Sequence, residues 1–329
     1  MRTGGAWMAI VIGLLLVGIY AHYASDPVPP SVPEVPLQRR TLEFPSATEP
    51  VPENAEAARQ RDREIARLGK QALSDNAGSR RAVLDSEDLA EFVLDLLPQA
   101  QRGDGASQYL IYLALEQCRG YLQQDTDSAQ LVYEQFMSTL GNIAPEERAY
   151  WQREYQRCRG FASTDWSSVA DALGDEKPSA VSEIPSLWFE RAVRSGHPAA
   201  VSDRALRPGA FSPEERAAML HDVLARGDAE VYWLLFVHSG DVDEGKASVP
   251  SLAWLLIACR AGYDCTEQAR WNRQFGCMQS EGACAPGLSA VERYWRSLPG
   301  AERAQAYRLA GEIEEALRLQ QWDRLPLPP

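Results

Sequence analysis

The side chains with the most obvious chemistry are six cysteines: Cys118, Cys158, Cys259, Cys265, Cys277 and Cys284. The last four are spaced C-x5-C-x11-C-x6-C. Zinc knuckles instead bring two thiolates together as C-x2–4-C, and dithiol redox centres as C-x-x-C. An even number of cysteines in an exported chain is typical of a disulfide framework. We therefore predict structural disulfides, with a metal site or reactive thiols as the alternatives, and we expect no cofactor.

The N-terminus indicates export. From Ala6 to Tyr23 the chain has no Asp, Glu, Lys or Arg, and Arg2 is the only basic residue before this run. The run is just long enough for a helical span, which needs at least about 17 residues. Small residues do not occupy both positions that signal cleavage requires. We expect residues 1–24 to be an uncleaved inner-membrane signal anchor, with the remainder in the periplasm by the positive-inside rule. Cleavage and release into the periplasm is the alternative.

Two regions follow this segment. Residues 25–53 contain eight prolines, so we expect an extended linker and not a helix. Residues 54–329 suffice for one elongated domain, with a first half at 54–162 and a second half at 182–329. The chain has 46 acidic and 33 basic residues and a net charge of -13. Because nucleic-acid binding needs a basic surface, we expect no nucleic-acid partner.

Helix signals recur along residues 54–329, whereas strand signals are almost absent. Apolar residues repeat at three- and four-residue spacing, for example at Leu89, Phe92, Val93 and Leu96, at Tyr109, Leu110, Tyr112 and Leu113, and at Leu131, Val132 and Phe136. Capping residues mark helix starts at Ser212 in SPEERA and at Ser289 in SAVE. The sequence therefore predicts an all-α fold.

Several of the helix ends are alike. Three glycines are each followed by the start of a new helix, at Gly103-Asp104, Gly196-His197 and Gly227-Asp228. The last two glycines are 31 residues apart, and the first two are 93 apart, which is three times that period. A period in the thirties is typical of helical hairpins stacked into a solenoid.

One segment carries a resemblance to a known family. LWFERAVRSGHPAA, from Leu187 to Ala200, resembles the second helix and turn of a Sel-one-like repeat, a relative of the tetratricopeptide repeat. His221 to Phe236 and Leu96 to Leu115 resemble it less closely, so that about 100 residues are covered. The resemblance implies that Trp188 and Phe189 pack between helices. It also implies a degenerate, non-catalytic protein-interaction scaffold of the bacterial envelope.

Stacked hairpins suggest how the cysteines pair. Cys118 in CRGY and Cys158 in CRGF both precede a predicted helix end, at which Gly120 and Gly160 are expected to be left-handed. Parallel stacking would bring these two ends together, so we predict the pair Cys118–Cys158. For the other four we favour the local pairs Cys259–Cys265 and Cys277–Cys284, because each closes a short loop that contains glycine. A crossed pairing of Cys259 with Cys277 or Cys284 remains open.

The histidines give little support for catalysis. His197 belongs to a repeat turn and His221 to a helix, where structural roles are the simplest interpretation. His238 lies beside Ser239 and near Asp241, but no G-x-S-x-G nucleophile elbow exists. The acidic stretch that begins at Asp241 does not match an EF-hand. We predict no catalytic residue and no enzyme.

The aromatic residues are the last candidates. Four of the nine tryptophans lie in apolar helical segments, where packing between helices is the simplest interpretation. The alternative is a partner-binding face, since Trp, Tyr and Arg are the usual interface hot spots. Its candidate members are Trp188, Tyr232, Trp233, Trp254, Arg260, Trp295 and Arg296.

These patterns together predict an envelope scaffold or adaptor. It would bind a protein or peptide through an α-solenoid surface and attach to the membrane through its N-terminal segment. An accessory subunit of a membrane complex is one alternative. A cell-wall or peptide-processing enzyme is the other.

Overall fold

The structure is a computed structural model that describes residues 55–68, 82–83, 85–122, 126–139, 145–164, 166–207, 209, 211–239, 247–266, 269 and 288–328. The predicted anchor at 1–24 and linker at 25–53 lie outside the described residues. Within these ranges the chain forms helices and loops without any β-strand, which confirms the all-α prediction. Pro50–Pro329 is one compact unit.

Thirteen α-helices are described. They are α1 (Ala55–Leu68), α2 (Leu89–Gln101), α3 (Gly105–Gln117), α4 (Thr126–Thr139), α5 (Pro145–Cys158), α6 (Trp166–Asp171), α7 (Ile184–Arg194), α8 (Pro198–Leu206), α9 (Pro213–Leu224), α10 (Ala229–His238), α11 (Val249–Arg260), α12 (Ala290–Ser297) and α13 (Gly300–Arg318). Short 3-10 helices follow α3 and α5 directly, at Arg119–Tyr121 and Arg159–Ser163.

The predicted capping residues begin their helices. Ser212 Oγ accepts from the Glu215 N–H at 3.2 Å, and the Glu215 carboxylate accepts from the Ser212 N–H at 2.9 Å. Ser289 and Glu292 make the same reciprocal pair at the start of α12. Each pair satisfies two N–H groups that the first helical turn leaves unpaired. Both predicted helix starts are confirmed.

The helices pack mainly against their neighbours along the chain. Within the described residues, α2 packs on α3, α3 on α7, and α7 on α8. Further along, α8 packs on α9 and α10, α10 on α11, and α11 on α13. Two buried apolar clusters result: one spans α2, α3 and the start of α7, and the larger one spans α7 to the C-terminal tail.

Helix α1 is the exception to this order. Its Ile65 and Leu68 are buried in the larger cluster, although α1 belongs in sequence to the first half, residues 54–162. Arg260 donates to the Glu64 carboxylate at 2.9 Å, and the Arg61 guanidinium lies 5.3 Å from the centre of the Trp295 ring. The N-terminal helix therefore belongs structurally to the second half that the sequence analysis delimited.

The C-terminal tail covers the same cluster from another side. The Trp254 indole N–H donates to the Pro326 carbonyl at 3.2 Å, and Arg216 donates to the Pro328 carbonyl at 3.1 Å. Leu325 is buried beside them. Both α1 and the tail thus shield the apolar helices α10 and α11.

Candidate functional site

The predicted disulfides are present wherever the structure describes the cysteines. Cys118 and Cys158 are joined with their Cα atoms 5.3 Å apart, and Cys259 and Cys265 with theirs 5.7 Å apart. Both pairs are those that we favoured from the sequence. The last predicted pair, Cys277 and Cys284, lies outside the described residues.

One prediction about the helix ends beside Cys118 and Cys158 was wrong. Gly120 and Gly160 are not left-handed, because each lies inside the 3-10 helix that extends the preceding α-helix. A 3-10 turn satisfies the last carbonyl groups of a helix without a left-handed residue. Gly160 instead allows a close approach, since an added Cβ would lie 2.9 Å from the Asp88 carboxylate.

The three predicted turns have left-handed glycines. Gly103, Gly196 and Gly227 have φ angles of 91°, 72° and 72°. Asp104 then accepts from the Ser107 N–H at 2.9 Å and Asp228 from the Glu230 N–H at 2.8 Å, so that both aspartates cap the following helix.

These turns also contact one another. Ser195 Oγ donates to the Gln108 side chain at 2.7 Å, and Arg226 donates to the Gly196 carbonyl at 3.2 Å. His197 does not cap α8 but stacks on Tyr109, with ring centres 4.8 Å apart. Burial lowers the pKa of His197, against the opposing charges of Asp228 and Asp104. The three turns therefore lie side by side around one half-buried histidine.

The tryptophan and tyrosine candidates for partner binding are buried. Trp188 and Trp254 are 0% exposed, and the others of this group, Tyr232, Trp233 and Trp295, are at most 6% exposed. They fill the space between helices, so packing is the correct interpretation. The partner-binding interpretation needs correction for these five residues, because none of them forms an accessible face.

The two arginine candidates differ from each other. Arg260 is paired with Glu64 and Glu314, each at 2.9 Å, and its guanidinium lies over the Tyr307 ring at 5.1 Å. It therefore holds α1 and α13 together. Arg296 is exposed on α12 and is the only candidate of the predicted set at the surface.

The other histidines also have packing roles. His221 stacks on Trp322 with ring centres 5.0 Å apart. His238 ends α10, and burial lowers its pKa against the opposing charge of Asp203. Asp241, which the sequence analysis placed near His238, lies outside the described residues.

A groove in the first half is lined mainly by aromatic side chains. It has a volume of about 260 Å³ and lies between α4, α5 and the end of α3. Its lining comprises Gln117, Gly120, Tyr121, Val132, Tyr133, Phe136, Tyr150, Trp151, Glu154, Tyr155 and Cys158. Six of these eleven side chains are aromatic. We call it the aromatic groove.

The aromatic rings form two groups. Tyr155 stacks on Tyr133 with ring centres 4.4 Å apart and contacts Tyr121 at 5.9 Å. In the second group, Trp151 meets Phe136 at 5.1 Å and Tyr150 at 5.0 Å, edge to face in both cases. Such contacts hold rings in defined orientations. The walls of the groove are therefore ordered before any ligand arrives.

A buried arginine supports the floor of the groove. Arg157 is 0% exposed and donates to Glu154 at 2.9 Å and to the Ser86 carbonyl at 2.6 Å. Gln117 donates to the same Glu154 oxygen at 2.7 Å. Burial lowers the pKa of Arg157, and the charge of Glu154 acts in the opposite direction. These bonds and the Cys118–Cys158 disulfide join α3 and α5 beneath the groove.

Two phenols of the groove, Tyr121 and Tyr133, have raised pKa values. Burial, aided by the neighbouring tyrosines and Glu154, raises the pKa of Tyr121 to about 12. Burial also raises the pKa of Tyr133. The Tyr155 hydroxyl donates to Gln130 at 2.7 Å. The groove can thus offer hydrogen-bonding hydroxyls and neutral π faces to a ligand.

Helix α4 adds exposed apolar surface beside the groove. Leu131 is 64% exposed, Val132 39% and Phe136 37%. These are three of the five large apolar side chains that are exposed among the described residues, and the other two, Leu94 and Leu319, lie on other elements. Val132 and Phe136 also line the aromatic groove, so exposed apolar surface and the groove meet on this helix.

This site was not predicted from the sequence. The spacing of Leu131, Val132 and Phe136 was interpreted only as a helix signal. A usable signal was the density of aromatic residues in VYEQF and AYWQREY, which follow one another along the chain. Nothing local in those motifs distinguishes a buried ring from an exposed one.

Other site classes find no support in the described part of the chain. It contains no group of three or more His, Cys, Asp or Glu side chains placed to hold a metal ion. No described helix combines the length and apolar character needed to cross a bilayer. Comparisons with known protein families, characterised proteins and solved structures find no match to the chain.

Proposed function

We propose that this chain is a non-catalytic scaffold or adaptor that binds a protein or peptide through the aromatic groove. The observation that carries the proposal is the exposed apolar surface of α4 beside a preformed groove with six aromatic side chains. Aromatic side chains dominate the energetics of protein interfaces. Burial of the exposed parts of Leu131, Val132 and Phe136 against a partner would contribute favourably to binding.

The proposed architecture is a degenerate α-solenoid of Sel-one-like or tetratricopeptide-like hairpins. Its support is the contact between the turns at Gly196 and Gly227, which lie 31 residues apart and are joined by the hydrogen bond from Arg226 to the Gly196 carbonyl. The packing of α7 on α8, α8 on α9 and α10 on α11 also agrees with a repeat stack in that part of the chain. Proteins of this architecture present extended surfaces to their partners.

The proposed location is the periplasm, with an inner-membrane anchor at residues 1–24. Two buried disulfides support an oxidising compartment, since such bonds are rare in the cytosol. The apolar run and the proline-rich linker would then tether the helical domain to the membrane.

Site-specific photo-crosslinking tests the function. A photoreactive phenylalanine derivative replaces Val132 in one full-length protein and Leu319 in another. Leu319 is 44% exposed and lies at the end of α13, so it is a matched control for the 39% exposed Val132. We expect a discrete crosslinked protein from position 132 and none from position 319.

The outcome also separates the adaptor from the alternative of an accessory subunit. A partner that copurifies at high salt without irradiation supports the subunit. Absence of any adduct at position 132, or equal adducts at both positions, contradicts the proposal.

A further inference from the structure

Helix α1 is held on the second half by side chains of one face. Arg61, Glu64, Ile65 and Leu68 follow the spacing i, i+3, i+4, i+7, which is the pattern of an amphipathic helix that binds in a groove of a partner. Arg61, Ile65 and Leu68 are buried and Glu64 is half-buried, whereas most other described side chains of α1 are exposed. Helix α1 therefore lies on the second half as a ligand helix would.

The surface beneath α1 is formed by three helices from the other end of the chain. The Arg260 guanidinium of α11 donates to the Glu64 carboxylate at 2.9 Å, and the Tyr307 hydroxyl of α13 donates to the same carboxylate. On α12, the centre of the Trp295 ring lies 5.3 Å from the Arg61 guanidinium. Both charged anchors of α1 thus meet complementary groups, which determines the position at which the helix binds.

These contacts do not depend on the covalent connection between α1 and the rest of the chain. The connecting residues 69–81 could reach about 45 Å if fully extended, since a chain spans at most about 3.6 Å per residue. An isolated helix of the length of α1, 14 residues, is marginally stable in water. Helix α1 therefore needs a docking surface, and a second copy of the chain offers the same one.

We propose that the surface formed by α11, α12 and α13 also accepts α1 from a second copy of this chain, so that two copies exchange their α1 helices. Exchange keeps every contact of α1 and costs only the free energy of association, which makes it a low-cost route to a dimer. Charge complementarity selects this occupant, because a second copy supplies both the carboxylate that Arg260 binds and the guanidinium that Trp295 binds. The inference goes beyond the proposed function, which concerns the aromatic groove of the first half.

The test uses two full-length charge-reversal variants, Glu64→Arg and Arg260→Glu, one of them labelled with nitrogen-15. Within either variant, positions 64 and 260 carry like charges, so α1 is repelled from its own site. In an exchanged pair, the introduced arginine meets the introduced glutamate, and the native Glu64 of one copy meets the native Arg260 of the other. The matched control carries both substitutions in one chain, which restores opposite charges within a single copy.

We expect each variant alone to be monomeric, with weakly protected α1 amides. The mixture should form a 1:1 dimer in native mass spectrometry, and hydrogen exchange of α1 should slow by about tenfold, the effect of regaining a hydrogen bond between charged groups. The doubly substituted control should be protected as the unmodified protein is. If this control is protected and the mixture stays monomeric, the inference is overturned.

A second measurement covers the case in which the doubly substituted control is not protected, since Arg260 also donates to Glu314 at 2.9 Å. A photoreactive phenylalanine derivative then replaces the half-buried Ala58 in otherwise unmodified protein, and labelled and unlabelled chains are incubated together. We expect crosslinks from α1 of one copy to α12 or α13 of another. Crosslinks confined to single copies would overturn the exchange, and they would leave the proposed function of the aromatic groove unaffected.

Discussion

Helices α10 and α11 and helix α4 are all rich in apolar residues, but only α4 exposes them. Eight consecutive residues of α10, Ala229 to Phe236, and nine of α11, Ser251 to Cys259, are buried. On α4, Leu131, Val132 and Phe136 each leave more than a third of their surface in water. Apolar content alone therefore does not separate a core helix from a binding helix.

The difference arises from which other parts of the chain pack over these helices. Helix α1 and the C-terminal tail cover the second half, through Ile65, Leu68 and Leu325. Among the described residues, no equivalent element covers the outer side of α4. The second half is thus covered by its own chain, whereas Leu131, Val132 and Phe136 of α4 stay exposed.

Truncation of one large ring in each region gives the largest expected contrast. Trp254→Ala removes a fully buried ring and its bond to Pro326, and should lower the free energy of unfolding by about 3–5 kcal/mol. Phe136→Ala removes a ring that is 37% exposed, and should cost about 1 kcal/mol or less. Urea denaturation followed by circular dichroism measures both. Equal losses would contradict the contrast between the two regions.

The two described disulfides offer a second contrast, because they close loops of different length. Cys118–Cys158 spans 40 residues and Cys259–Cys265 spans 6. By loop entropy, paired alanine substitutions should cost about 4 kcal/mol at the first bridge and about 2 kcal/mol at the second. The same urea experiment, performed on both double variants, tests the order. A larger loss for the short loop would show that local packing outweighs loop entropy.

The docking of α1 can be weakened by acid. Burial alone would raise the pKa of Glu64, but the hydrogen bond from Tyr307 and the charge of Arg260 outweigh it and hold the pKa below its usual value of 4.5. A group with a lowered pKa stabilises the fold above its ordinary pKa, and this contribution is lost as the pH falls through the lowered value. We therefore expect α1 to loosen below about pH 4.5.

Hydrogen exchange of α1 measures this effect. Glu64→Gln should reduce the protection of α1 at pH 7 by about 2 kcal/mol, since it removes charged hydrogen bonds, and should flatten the pH dependence. Glu56→Gln, at an exposed position on the same helix, is the matched control and should behave as the unmodified protein does. If both variants lose protection equally, the ion pair with Arg260 does not hold α1.

Local features of the fold could be predicted from the sequence, and long-range ones could not. Helix starts at Ser212 and Ser289 were predicted because a cap depends on residues three positions apart. The pairs Cys118–Cys158 and Cys259–Cys265 followed from helix ends and short loops. The docking of α1 could not be predicted, since Glu64 and Arg260 are 196 residues apart and no local pattern relates them.

The candidate site shows the same limit. Trp254 and Trp151 both occur in helices, yet the first is buried and the second lines a groove. Trp, Tyr and Arg serve equally as core, cation–π and interface residues, so composition alone led to the wrong set. What distinguishes a core residue from an interface residue is whether another part of the chain packs over it, and tertiary packing determines this.

Substitution of the turn glycines should lower the stability of the protein by a similar amount in both halves, and this is the smallest effect that we expect. Gly103→Ala and Gly227→Ala each place a side chain on a backbone with positive φ, which should cost about 1 kcal/mol in either half. Gly311→Ala is the opposite control. It lies within α13, where an added Cβ meets nothing within 4 Å, so it should stabilise the protein by about 0.5–1 kcal/mol. Both turn glycines have positive φ, but their surroundings differ. Unequal losses in the free energy of unfolding at Gly103 and Gly227 would therefore mean that contacts with the rest of the chain, and not the turn itself, determine local stability.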